Sequence, residues 1–254
     1  MNKLFDLTGK VALITGGSRG MGLSIAHAFA AQGADLVIAS RKLDACEAAC
    51  AELRERHGVR ALPLAYHAGR WDQAEQVLAQ AEAHFGGIDV LINNAGASPP
   101  YGALTDISED LWDKVFALNL KGPFRMSVLA AQRMQQTGRR GSIVFVSSAS
   151  TLAPAVGELP YAMAKGSLHQ LAGTLVHAYK GVRFNVIVPG AFRTDISKAW
   201  SEEMFQRISE RVPLGRAGEP DEIVTTALYL ASEASSYTNG AVIKVDGGMT
   251  YTRG

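Results

Sequence analysis

Cysteine is nearly missing from this chain: its 254 residues include two, Cys46 and Cys50. Two thiols four positions apart share a helical face, but they fall short of the ligand set of a zinc site, so no metal is expected. So low a count points to unpaired, reduced thiols in a cytoplasmic protein. An excess of charge of one sign is missing too. The formal net charge of +1 leaves no long-range field to attract DNA, RNA or an anionic membrane, and the pair Arg139-Arg140 reads as a solvated turn rather than a nucleic-acid patch. No apolar run approaches the ~20 residues that would span a bilayer, and the opening MNKLFDLTGK lacks the apolar core of a secretory signal. Repeats, low-complexity tracts and linkers are also absent, so residues 1–254 are expected to form a single domain. Hydrophobic residues make up 47% against 19% charged, enough for a sizeable core.

Short apolar runs at 11–14, 36–39, 61–65, 88–92, 143–146, 184–188 and 241–245 alternate with stretches of helical period at 21–32, 43–57, 73–85, 109–119, 161–180 and 221–231. Most runs are continuous rather than alternating, as in strands covered on both faces. The alternation predicts an α/β fold: a doubly wound, Rossmann-like parallel sheet of about seven strands, with right-handed crossovers and helices on both faces. Residues 191–218 break the rhythm, mixing Phe192, Trp200 and Phe205 with charges and a Pro-Leu-Gly. They form either a peripheral helical insertion or a lid over a site, and their place after a strand's carboxyl end favours the lid.

Immediately after the first strand stands Thr15-Gly16-Gly17-Ser18-Arg19-Gly20-Met21-Gly22. Glycines here permit a tight turn and close backbone approach to a pyrophosphate, whose charge the free N–H groups and dipole of the following helix stabilise. The strand–turn–helix context is what gives this turn weight. At the end of the second strand, where dinucleotide folds commonly place an acidic residue for the ribose hydroxyls, this chain has Ser40, Arg41 and Lys42. Ser40 can donate to a 2′-phosphate, Arg41 can pair with it, and Arg19 can approach from the glycine turn. The expected coenzyme is therefore NADP(H) rather than NAD(H).

Tyr161 and Lys165 are four apart at the start of a helix, hence on one face. A free phenol titrates near ~10, too high for an efficient proton shuttle, and a neighbouring ammonium is expected to lower it. Tyr161 can then protonate a carbonyl oxygen as hydride arrives, or take the alcohol proton in reverse. Ser148 ends the fifth strand thirteen residues before Tyr161, where parallel sheets present ligands, and its hydroxyl can stabilise charge on the substrate oxygen. Ser147 competes for that role, though spacing favours Ser148.

In chain order these residues resemble the short-chain dehydrogenase/reductase family, in its single-domain branch of about this length, nearly end to end. The family's Thr-Gly-x-x-x-Gly-x-Gly turn is matched from Thr15 to Gly22, and its Asn-Asn-Ala-Gly motif by Asn93, Asn94, Ala95 and Gly96, beside the coenzyme. Its active-site asparagine matches Asn119, and its serine, tyrosine and lysine match Ser148, Tyr161 and Lys165. Its Pro-Gly turn is Pro189-Gly190, followed by Thr194, and its closing Asp-Gly-Gly runs from Asp246 to Gly248. The resemblance implies a catalytic tetrad. In it Asn119 holds a water linking Lys165 to solvent, Lys165 also holds the nicotinamide ribose, and Ser148 and Tyr161 hold the substrate oxygen. Thr194 would face the nicotinamide carboxamide. A homotetramer through the helices around 109–126 and 161–180 is implied as well. One position departs: His67 stands where many relatives place an aspartate for the adenine amino group, so His67 and Ala68 are expected at the adenine, through a ring nitrogen or the backbone.

The expected reaction is hydride transfer between nicotinamide and a small-molecule carbonyl or secondary alcohol. Expected substrate contacts are Ser148, Ser150, Glu158, Tyr161, Phe192 and Trp200. A rival activity, reduction of 3-oxoacyl carrier-protein thioesters, shares every motif and needs a basic docking surface, to which Arg133, Arg139 and Arg140 could contribute. A non-catalytic NADP(H)-binding sensor is the rival from outside enzymes, and it is disfavoured because all four tetrad residues are retained.

Overall fold

Seven parallel strands form one sheet: β1 Val11–Thr15, β2 Asp35–Ser40, β3 Ala61–Ala65, β4 Val90–Asn93, β5 Ser142–Val146, β6 Arg183–Pro189 and β7 Val242–Val245. Their order is β3-β2-β1-β4-β5-β6-β7. The computed structural model describes residues 3–194 and 202–251. Helices supply the crossovers that parallel pairing requires: α1 Gly20–Ala31, α2 Leu43–His57, α3 Gln73–Phe85, α4 Glu109–Phe116, α5 Gly122–Gln136, α6 Leu159–Ala178, α7 Glu202–Arg211 and α8 Val224–Ala231.

Alternate strand residues enter two cores. Val11 and Leu13 point into the layer made with α3, α5 and α6, whereas Ala12 and Ile14 point into the layer made with α1, α2 and α8. In β1, β2, β4, β5 and β6 both faces are buried, so apolar residues fill nearly every position, whereas the edge strand β7 is partly exposed. Cys46 and Cys50 lie unpaired in the second core, and burial pushes the Cys50 thiol up to about 12, so it behaves as a small hydrophobe. Phe145, in the middle of β5, is fully buried. Phe145→Ala is expected to lower the unfolding free energy by ~3–5 kcal/mol, read from the urea midpoint at constant slope.

The helix expected over 109–119 ends early. After Phe116 the chain makes a π-helical turn, Ala117–Lys121, and continues into α5, a helix missing from the sequence expectation. The turn carries Asn119 inward, where it is fully buried, and such turns inside helices recur at functional positions. Gly122 lets the chain pass the β3–α3 loop, since a Cβ there would lie 1.8 Å from the Ala68 carbonyl oxygen.

The strand order reverses between β1 and β4, the switch point beside which open α/β sheets bind ligands at the strands' carboxyl ends. Among the described residues no helix is long and apolar enough to cross a membrane.

Candidate active site

The turn between β1 and α1 is built as a cradle. Arg19, at the N-cap of α1, is extended (φ −164°) and no side chain caps the helix, so the N–H groups of its first turn are left for a ligand. A Cβ at Gly22 would stand 2.3 Å from the Gly16 carbonyl oxygen, and Gly16 itself has φ +66°. The β4 end braces this turn. The Asn94 side-chain amide donates to the carbonyls of Thr15 and Gly16, both at 3.1 Å, and the backbone N–H groups of Asn94 and Ala95 donate to Thr15 Oγ1 at 3.1 Å. Asn94, expected at the coenzyme, thus uses its amide to hold the loop. Thr194, beyond Pro189 and Gly190 at the end of β6, lies beside the same turn, 3.8 Å from where a Gly20 Cβ would be.

At the end of β2, Ser18 Oγ donates to Ser40 Oγ at 3.0 Å. Arg19 and Arg41 are exposed on either side, and neither forms an ion pair among the described residues. His67 is exposed, and its Nδ1 accepts from the Gly69 N–H at 3.1 Å; Ala68 is buried. An adenine contact through Nδ1 is therefore closed off, which leaves Nε2 and the backbone. The glycine cradle, the uncapped helix and the basic pair Arg41-Lys42 that follows β2 together fit a dinucleotide.

Beyond β5, Ser147 and Ser148 leave on opposite sides, as extended backbone dictates. Ser147 is buried, donates to the Lys165 carbonyl at 3.1 Å and meets His169 Nε2 at 2.9 Å. Ser148 instead is hydrogen-bonded to Tyr161 and accepts from Ser150 Oγ at 2.9 Å. Lys165 is buried, and its Nζ donates to the Val146 carbonyl at 2.8 Å and lies 5.9 Å from the centre of the Tyr161 ring. The Asn119 amide donates to the carbonyls of Ala97 (3.0 Å) and Val115 (2.9 Å), while its oxygen accepts from the Ala97 N–H (3.2 Å). Asn119 and Lys165 meet at Gly96: a Cβ there would be 2.8 Å from Asn119 Oδ1 and 3.0 Å from Lys165 Nζ.

The electrostatics correct one expectation. Burial pushes the Tyr161 phenol up to about 12; the Ser148 hydrogen bond opposes this and Glu158 adds to it. Burial also pushes Lys165 down to about 8. Desolvation disfavours the charged form of both groups, so it outweighs the expected depression of the phenol by the ammonium, whose Nζ points to the Val146 carbonyl.

Beside Tyr161 is a shallow crevice whose walls include Ser98, Tyr101, Leu111, Val115 and Glu158. Tyr101 was not anticipated. Its Oη donates to the Val156 carbonyl and accepts from the Leu159 N–H at 2.9 Å, holding the segment that carries Glu158. These partners are more than fifty positions away in sequence, and no local spacing reveals them. Two expected substrate contacts are corrected. Phe192 is 93% buried, packs into the core formed with α1 and α8, and is tied by backbone bonding to Gly218. Ser150 is buried behind Ser148 and points its hydroxyl at it. Trp200 lies outside the described residues, as does part of the lid expected over 191–218.

The three arginines considered for carrier-protein docking do not make an open basic surface. Arg133 pairs with Glu75 and, at 3.7 Å, with Glu82, and Arg139 pairs with Asp89 at 3.0 Å. Arg139 and Arg140 precede β5, at the end of the sheet opposite Ser148.

A family model described as enoyl-(acyl carrier protein) reductase matches residues 16–250. Dehydrogenase/reductase SDR family member 4 of Homo sapiens is 34% identical over 252 residues, covering 98% of this chain and 90% of that protein. L-rhamnose 1-dehydrogenase (NAD(P)(+)) of Azotobacter vinelandii is 36% identical, covering 96% and 97%. Among solved structures, L-sorbose reductase of Gluconobacter frateurii, complexed with NADPH and L-sorbose, superposes with a TM-score of 0.92 at 29% identity, covering 98% of this chain and all of that one.

Proposed function

The chain belongs to the short-chain dehydrogenase/reductase family of oxidoreductases, and from that premise we propose that it is an NADP(H)-dependent carbonyl reductase in which Tyr161 is the general acid. The observation that carries this reading is the convergence of Ser148, Tyr161, Lys165 and Asn119 at the carboxyl ends of β4 and β5, next to the glycine cradle.

Gly16, Ser18, Gly20, Met21 and Gly22 would hold the pyrophosphate. Ser40, Arg41 and Arg19 would hold the 2′-phosphate, His67 and Ala68 the adenine, and Ala95, Gly96, Pro189, Gly190 and Thr194 the nicotinamide end, with Lys165 and Tyr161 at its ribose. When bound, the coenzyme supplies the hydride. Ser148 and Tyr161 donate hydrogen bonds to the substrate carbonyl oxygen and polarise it. As the carbonyl carbon is reduced, its oxygen takes the phenolic proton, and Lys165, with Asn119 behind it, stabilises the phenolate until it is reprotonated. A phenol raised to about 12 keeps its proton at neutral pH, the form that reduction requires.

NADP(H) over NAD(H) is supported by the arginines flanking Ser40 and by the NADPH in the L-sorbose reductase structure. Charge-assisted hydrogen bonds of this type are worth ~1.5–3 kcal/mol, so Arg41→Ala is expected to lower kcat/KM for NADPH about tenfold or more and to leave NADH nearly unaffected. A parallel fall for both coenzymes would remove Arg41 from the 2′-phosphate. The reaction itself is tested with NADPH carrying deuterium at the hydride position: the label is expected on the carbinol carbon of the product, and its absence there would rule out hydride transfer. Carrier-protein thioesters are a second reading, favoured by the description of the matching family model and weakened by the pairing of Arg133 and Arg139. The proposal includes a homotetramer, for which exposed Phe124 on α5 and Met163 on α6 offer apolar surface, and a cytoplasmic location.

A further inference from the structure

We propose that Glu158 is a specificity-determining residue whose carboxylate accepts a hydrogen bond from a hydroxyl close to the reacting carbonyl, so that the preferred substrates are hydroxylated ketones rather than simple alkyl ketones. The inference rests on the reductase reading and narrows its substrate class.

Glu158 is the N-cap residue of α6, three positions before Tyr161, a spacing that puts the two on one side of the helix start. An acidic N-cap ordinarily accepts from the N–H groups of the first turn. Glu158 does not. Pro160 removes one of those donors, and the Leu159 N–H is taken by Tyr101 Oη. Glu158 lines the crevice beside the phenol, and its carboxylate is not claimed by the helix start. It is half-buried, and no side chain or backbone group among the described residues hydrogen-bonds or ion-pairs with it. Burial raises its pKa, and its charge in turn raises that of Tyr161.

A carboxylate so placed accepts hydrogen bonds and lacks a donor, and polar groups in such surroundings gain most from being paired. Tyr101 holds the donor-seeking group in position by clamping Val156 and Leu159, and Ser98 adds a second polar atom to the same crevice. An ammonium group on the substrate would also suit a carboxylate. A hydroxyl is favoured because Lys165 already brings a cation to this site, and like charges in one partly buried site repel. Polyol-type chemistry is also that of L-sorbose, the sugar bound in the L-sorbose reductase structure.

The test compares 3-hydroxy-2-butanone with 2-butanone, using NADPH-loaded enzyme. The kcat/KM ratio is expected to be about tenfold or more in favour of the hydroxyketone in the wild type, as for a hydrogen bond to a charged group. It should approach one in Glu158→Leu, with Glu158→Gln, which keeps an acceptor and the shape, in between. A wild-type ratio near one, or a fall of both substrates in Glu158→Leu with the ratio intact, would overturn the proposal. So would a Glu158-dependent preference for an amino ketone, which would make the subsite one for ammonium. Calorimetry of sorbitol binding to the enzyme–NADP+ complex separates this inference from the reductase reading. If no ketone is reduced, that reading fails; sorbitol binding that weakens about tenfold in Glu158→Leu would still support the subsite, and equal or absent binding in both proteins would overturn it.

Discussion

Tyr161→Phe is expected to lose about 10²–10⁴-fold in kcat while NADPH affinity, read by quenching of nicotinamide fluorescence, stays within a few-fold. The substitution removes one oxygen and keeps the ring, so the packing at the start of α6 should persist and circular dichroism should be unchanged. What disappears is the phenolic proton donor that is hydrogen-bonded to Ser148. Without it the developing alkoxide must take its proton from solvent, and Ser148 alone remains to stabilise the charge. Ser148→Ala should cost less, because the phenol survives it. Retained turnover in Tyr161→Phe across all reducible carbonyls would remove Tyr161 from the chemistry.

The second large effect concerns Lys165. Burial brings its pKa down to about 8, so the ammonium is present below that value and lost above it. Whatever the charge contributes to stabilising the phenolate therefore disappears as pH rises through about 8. The expected wild-type profile for kcat/KM in the reductive direction is flat on the acid side of that point and falls up to tenfold per pH unit beyond it. Tyr161, raised to about 12, adds no break below the alkaline limit. Lys165→Ala should lower kcat/KM by about 10²-fold or more and abolish the alkaline limb. A wild-type profile flat through pH 9, or a limb that persists in the variant, would mean that the lysine acts only by packing and by its bond to the Val146 carbonyl.

The strands were legible because a parallel sheet covered on both faces forces apolar residues at nearly every position, leaving runs such as 143–146 that composition alone exposes. α2 and α3 were legible to the residue, since each ends at a glycine in the left-handed conformation, Gly58 and Gly86. α5 was not, because Gly122-Pro123 looks like a break. In the structure the proline falls in the first turn of α5, a position where its missing N–H costs little, and the glycine is there to clear the Ala68 carbonyl.

In the site, local spacing brought Tyr161, Lys165 and Ser148 into view, and geometry separates Ser148 from Ser147 by which side of the strand end each leaves. Phe192 misled because an aromatic in a polar loop suggests a ligand contact, whereas burial in the core accounts for it. The role of Tyr101 depends on a contact across more than fifty residues, which no periodicity encodes. The direction of the Tyr161 shift likewise depends on how much water the fold removes, a three-dimensional quantity.

The most direct test of the central claim is oxidation of NADPH and NADH, followed at the nicotinamide absorbance, against a panel of ketoses, hydroxyketones, diketones, steroids and β-ketoacyl thioesters. The account predicts turnover with NADPH well above that with NADH, concentrated on the hydroxylated ketones. Silence across the panel from an enzyme that still binds NADPH tightly would contradict it and favour a coenzyme-binding sensor.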